Sequence, residues 1–303
     1  MSLPSTIKGS LLILSAAVLM SLGGVGIKLC QLGAWQLSGL RGGIAAVTVF
    51  LLIGEARRYW SWRVVLVGAA IAGTTVCFVW GTKTTTAANT IFIQSSAPLW
   101  ILLLGPVLIR ESIRGRDVVS MLACAAGLAL FFTHPAEPTT LSPLIVEGNW
   151  IALGAGVTFG LAIMGLRWLR GRGGEAAVVC GNALALLICL PMMFADGVDQ
   201  PDRFMGGGWR DWLVLVFLGS VQIGLAYAIY SRGMRYITAM RASLIGLVEP
   251  VLNPLWVFLL FQAERPGKQA LLGGALIIGA TCYQVLARVQ GPVDVHKTAD
   301  MSD

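Results

Sequence analysis

Charge is scarce in this chain. Asp, Glu, Lys and Arg together make up 12% of its 303 residues, against about 25% in a soluble domain. A soluble domain of useful size is therefore excluded. Histidine is rarer still, with only His134 and His296, expected in a loop and in the tail. The six cysteines fall mostly inside apolar runs and share no paired spacing, so they read as small apolar packing residues and not as a metal site. HExxH, a GxSxG elbow and a Walker loop are all missing, and no two acidic residues share one apolar segment. These absences leave no support for an enzyme, a resident metal or a cofactor, and an energy source would have to be a gradient, not ATP. The net charge of +7 is spread as short basic clusters between apolar runs, which fits anionic lipid headgroups better than nucleic acid.

What is abundant is apolar sequence: 56% of residues are hydrophobic and the mean hydropathy is +0.77. A membrane span needs roughly 20 apolar residues. Ten such stretches are predicted, at about 8–28, 35–54, 64–82, 86–109, 116–133, 148–168, 175–195, 210–230, 238–261 and 268–287. The first is long for a cleavable signal core and a second follows it closely. The tail after Gly291 is polar and is expected to be a disordered cytoplasmic segment, residues 291–303. With the N-terminus in the cytoplasm, inner segments would carry fifteen Lys and Arg and outer segments six, so both termini are expected inside.

The chain also repeats itself. Thr86–Glu111 and Thr238–Glu264 share a plan: Thr86 and Ala87 match Thr238 and Ala239, Pro98 matches Pro250, and Glu111 nearly matches Glu264, at offsets of 152 or 153. Earlier, Ala16, Ser21, Lys28 and Gly42 match Ala155, Gly160, Arg167 and Gly181 at an offset of 139. Two five-span halves, 8–133 and 148–287, follow from this. Because five is odd, the halves would enter the membrane from opposite sides, an arrangement common in alternating-access carriers.

At these residues the sequence resembles a known group. The helix ends PLWILLLGPVLIRE and EPVLNPLWVFLLFQAE, the Thr-Ala pairs before them, the glycine-bearing MLACAAGLALF and LLGGALIIGATCY, and Arg41 in LRGGIAA are similar to the drug/metabolite transporter superfamily in its ten-helix EamA form. The likeness is closest to YddG-type amino-acid exporters of bacteria. It implies an all-α integral membrane protein of two inverted five-helix repeats in the inner membrane. It also implies export of aromatic and other neutral amino acids by a functional monomer. One departure is that Arg41 falls on Cys180 in the second half, so the basic feature is not symmetric.

Candidate site residues come from polar groups inside the spans. Asn89, Ile93, Ser96 and Trp100 share one helical stripe flanked by Gln94 and Ser95. Such a stripe either lines a cavity or hydrogen-bonds between helices. Pro98 should bend this span or free the carbonyl of Gln94. Glu249, Asn253 and Trp256 form a second stripe. Glu249 lies about 16 Å deep at 1.5 Å per residue, where it could hold a substrate ammonium, couple a proton or be structural. Arg41 reads as a snorkelling or structurally paired cation, or as a carboxylate binder. Tyr227 lies deeper in its span than Tyr230 and is a cavity candidate for apolar side chains or an ammonium. The substrate-binding set is thus Asn89, Gln94, Ser96, Trp100, Tyr227, Glu249 and Asn253, with Arg41 and Glu249 as coupling or structural charges. A different cargo on the same fold, such as a hydrophobic drug or another metabolite, stays open.

Overall fold

The computed structural model describes residues 4–108, 115–133, 135, 137–169, 172–199, 207–237, 242 and 245–289. The expected matches at Glu111, Thr238 and Ala239, the position of His134 and the tail 291–303 lie outside the described residues.

The described chain is helical throughout its spans. In order it forms α1 (Ser5–Ser21), α2 (Gly23–Leu29), α3 (Ala34–Leu52), α4 (Trp62–Thr84), α5 (Ala87–Gln94), α6 (Ala97–Leu108), α7 (Gly115–Thr133), α8 (Ile145–Trp168), α9 (Gly174–Asp199) and α10 (Trp209–Val216). A π-helical segment, Phe217–Leu225, leads into α11 (Ala226–Met234), followed by α12 (Val248–Leu260) and α13 (Lys268–Val289). Seven stretches are long and apolar enough to cross a bilayer: Ser5–Leu29, Ala34–Leu52, Trp62–Thr84, Ala87–Leu108, Ile145–Trp168, Gly174–Ala195 and Trp209–Met234. Each coincides with a predicted span. The three other predicted spans also fall on helices, but Asp117–Thr133 and Val248–Leu260 are shorter than a full crossing.

Local chemistry explains where the helices start and break. Ser61 caps α4, its hydroxyl accepting from the amide of Val64 at 3.4 Å, and Thr86 caps α5 by accepting from Asn89 at 3.1 Å. The fourth span is interrupted at Ser95 and Ser96, and α6 restarts with Pro98 in its first turn, where a missing N–H costs nothing. A turn at Leu247 likewise precedes Pro250 in the first turn of α12. The first span bends at Leu22, just before Gly23 and Gly24. The eighth carries the π-helical segment, a geometry seldom sustained without a functional reason.

The helices pack along glycine contacts. α3 lies on α9 and on the π segment, α4 on α8 and α9, α1 on α11, and α7 on α13. In the last pair a Cβ at Gly127 would meet the carbonyl of Gly273 at 2.7 Å, so the two backbones touch where any larger residue would force them apart. The apolar core runs through the middle, from Ile27 and Leu37 through Ile91, Ile93 and Phe131 to Leu215, Leu218 and Ile277.

Candidate functional site

The interrupted elements meet one another. α12 packs against α1, α2 and α5, and the π segment packs against α1, α2 and α3. At the meeting point Asn253 lies against Gly24 and Gln222 against Gly23. The Gln222 amide donates to the carbonyl of Met20 at 2.9 Å, and the Trp256 indole donates to the Ser21 hydroxyl at 2.9 Å. The polar groups here are not all satisfied. Asn253 is 0% exposed and, among the described residues, neither of its amide atoms has a hydrogen-bond partner and Gln222 Oε1 also lacks one. A buried unpartnered polar group costs about 1–3 kcal/mol. Three such atoms lie together at this junction of broken helices; elsewhere among the described residues single buried atoms such as Asn89 Oδ1, Asn182 Oδ1 and Ser38 Oγ are also unpartnered.

Other predicted site residues divide into two sets. Glu249, one turn before Asn253 on the same stripe, is half-buried, makes no ion pair among the described residues and acts electrostatically on Tyr230. Tyr227, also half-buried, packs against a small apolar cluster that includes Val49, Val178 and Val179. Gln94, at the break of the fourth span, is half-buried and carries no hydrogen bond among the described residues. By contrast, Asn89, Ser96 and Trp100 face α8. Asn89 donates to Asn149 at 3.0 Å and to Thr85 at 3.3 Å. Ser96 donates to the carbonyl of Ile93 at 2.6 Å and accepts from the Trp100 indole at 3.3 Å. Gly156 and Gly160 bring α8 against Ser96 and Trp100. The small residues of α8 let the two backbones close over this stripe, although Asn89 Oδ1 stays buried without a hydrogen-bond partner among the described residues.

Arg41 is 3% exposed, so it does not snorkel to the surface. It has no hydrogen bond and no ion pair among the described residues, and its Nε is fully enclosed. The structural-pair expectation is not met.

A model of the EamA-like transporter family matches the chain twice, over residues 7–133 and 146–285. The chain belongs to that family. An uncharacterized transporter, YxxF, of Bacillus subtilis (strain 168) is 24% identical over 219 residues, covering 72% of this chain and 67% of that protein. An uncharacterized transporter of Archaeoglobus fulgidus is 25% identical over 215 residues, covering 70% and 73%. A protein known from a crystal structure superposes on 93% of this chain and 99% of its own at a TM-score of 0.59, with 20% identity, a likeness of fold.

One end of this transporter carries a network that sequence reasoning missed. Lys28, at the end of α2, donates to the carbonyls of Thr85 (3.0 Å) and Leu141 (2.6 Å) and to the Ser142 hydroxyl (2.8 Å). Its Nζ also lies 3.0 Å from Glu264 Oε1, with both side chains almost wholly buried. Glu264 in turn accepts from Ser142 and, at 3.1 Å, from the amide of Ala87 at the start of α5. Helices from both family matches and the segment between them thus converge on one ion pair. Lys28 and Glu264 are both repeat positions, but nothing in their spacing joins them across 236 residues.

Proposed function

We propose that this transporter exports amino acids, aromatic and other neutral ones, from the bacterial cytoplasm by alternating access. It works as a monomer in the inner membrane, with ten helices in two inverted five-helix halves and both termini cytoplasmic. The basic-residue bias supports the orientation, and the two family matches support the halves. The observation that carries the reading is the junction at Asn253, where broken helices surround a buried amide with no hydrogen-bond partner among the described residues, beside the unpartnered Gln222 Oε1. An amino acid is rich in the complementary donors and acceptors. Glu249 on the same stripe offers a counter-charge for its ammonium, and Gln94, Tyr227 and Tyr230 offer polar and aromatic contacts.

In this orientation the Lys28 end faces outward, so the conformation is one sealed to the outside by the Lys28–Glu264 pair. Transport then requires that the α2, α5 and α12 ends separate after cargo binds. By the repeat, Arg167 and Glu111 stand where Lys28 and Glu264 do, and they would close the opposite face in the alternate state.

The test is efflux of preloaded labelled amino acids from proteoliposomes, with and without a proton gradient. Efflux above empty vesicles for L-phenylalanine is expected, reduced at least about tenfold by Asn253→Ala, as for loss of hydrogen bonds to a charged ligand. No flux of any neutral amino acid would remove the reading, and competition by a wider ligand panel would then identify a different cargo.

A further inference from the structure

We infer that Arg41 is the binding site for a carboxylate on the cargo, at the contact between α3 and the π-helical segment. The inference rests on the transport reading above and narrows it to cargo carrying a single carboxylate.

The placement comes from the α3 stripe. Arg41, Ile44 and Thr48 are spaced i, i+3 and i+7, one face of a helix. A Cβ on Gly219 would meet Ile44 and the Arg41 carbonyl, and a Cβ on Gly224 would meet Thr48. Arg41 therefore sits on the face of α3 that meets the π segment, which also carries Gln222. The Cα of Arg41 lies about 10 Å inside the Ala34 end, at 1.5 Å per residue.

The chemistry follows from what is missing around it. A guanidinium presents five N–H donors and stays charged. Enclosing it without a counter-charge is costly, and folded proteins pair such groups. Here no acidic side chain and no carbonyl pairs with it among the described residues. The side chain that matches Arg41 by the repeat is Cys180, so the repeat does not duplicate this cation. One planar fork without a partner fits one planar anion, held by two parallel hydrogen bonds. A dianion such as phosphate would leave one negative charge uncompensated beside a single guanidinium. A monoanionic carboxylate satisfies the donors and balances the charge.

The test uses the purified full-length protein in lipid nanodiscs, followed by thermal unfolding and by ligand titration. The probes are acetate, 3-phenylpropionate, L-phenylalanine and L-phenylalaninamide, the last having no carboxylate. The expected result is that 3-phenylpropionate and L-phenylalanine raise the midpoint and the amide does not. Arg41→Gln should weaken binding of both acids by about ten- to hundredfold, while Arg41→Lys keeps part of it. Without ligand, Arg41→Gln should unfold at the wild-type temperature or above it, since it removes an unmatched charge. A residue that merely holds the fold together would do the opposite.

Equal binding of acid and amide by the wild type, no shift with any carboxylate, or unchanged acid binding by Arg41→Gln would overturn the inference. Its failure is separable from that of the export reading. Vesicles that do not export amino acids, together with Arg41-dependent binding of 3-phenylpropionate, would sink export and leave the carboxylate site. Vesicles that export the amide as well as the acid would do the reverse.

Discussion

Lys28 and Arg41 are both buried cations in one helical bundle, and the fold treats them in opposite ways. Lys28 meets two backbone carbonyls, a hydroxyl and a carboxylate. Arg41 meets none of these among the described residues. Burial is therefore a poor guide to what a charge is for. A cation that folding itself neutralises ties elements together. A cation that folding leaves bare raises the energy of the empty protein and must be matched by something outside the chain. The same division separates the Lys28 end from the Asn253 junction: one region joins its polar groups to each other, the other leaves both amide atoms of Asn253 and Gln222 Oε1 without partners among the described residues.

The largest effect should come from breaking the matched pair. Glu264→Ala strands the Lys28 ammonium in a buried pocket, and removing one partner of a buried pair costs about 3–5 kcal/mol. It also removes the acceptor for the Ala87 amide. Unfolding in denaturant should show that loss, and the double variant Lys28→Met, Glu264→Met should recover part of it, because the stranded charge is then gone while the Ala87 amide still lacks its acceptor. A single-variant loss below about 1 kcal/mol, the range of an exposed pair, would erase the contrast with Arg41.

The open region should respond through overpacking. A methyl group on Gly24 collides with the Asn253 amide oxygen and reaches Ala87. Gly24→Ala should cost about 1–3 kcal/mol and should depress efflux more than Glu264→Ala does when each is corrected for folded protein. Equal effects on flux would mean that the two regions do not differ in role. A smaller change is expected for Trp256→Phe. It deletes the bond to Ser21, but the Ser21 hydroxyl keeps its own bond to the Val18 carbonyl at 2.7 Å. No orphan is created, so the loss should stay at about 0.5–1.5 kcal/mol.

These contrasts also separate what was legible in the residues from what was not. Apolar length and turn chemistry are local, so the helices and the interruptions before Pro98 and Pro250 could be read directly. The face shared by Glu249, Asn253 and Trp256 was legible for the same reason, since helical periodicity is a property of one segment. The neighbour opposite a face is not. Asn89, Ser96 and Trp100 formed as good a stripe as Asn253 did, yet α8 covers them because Gly156 and Gly160 sit opposite. Ser142, in the segment between the halves, carried no periodic signal at all, and only its contact with Lys28 and Glu264 gives it meaning. Arg41 could be noticed as an oddity, but whether it was paired depended on side chains far away in the chain.

The smallest effect should come from a third cation, at the end of the bundle opposite Lys28. Arg235 pairs with Glu55 at 2.8 Å, with the two side chains 62% and 47% exposed. The Glu55 carboxyl is held below its ordinary value, chiefly by a hydrogen bond from its own backbone amide and then by the Arg235 charge. A depressed carboxyl stabilises the fold above its unfolded-state value, about 4.3, and loses that contribution as pH falls through the folded one. Water and salt screen this pair, so its worth is about 1 kcal/mol or less. Glu55→Gln should therefore differ from the wild type only slightly at pH 7. The difference should start to fall below the unfolded-state value and vanish once the pH is below the depressed folded one, and it should shrink in ~1 M salt, where the Debye length falls to about 3 Å. Thermal unfolding across pH and salt measures this directly. A loss as large as that of Glu264→Ala would mean that the exposed end is held as firmly as the buried one, and the asymmetry between the two ends would have no energetic basis.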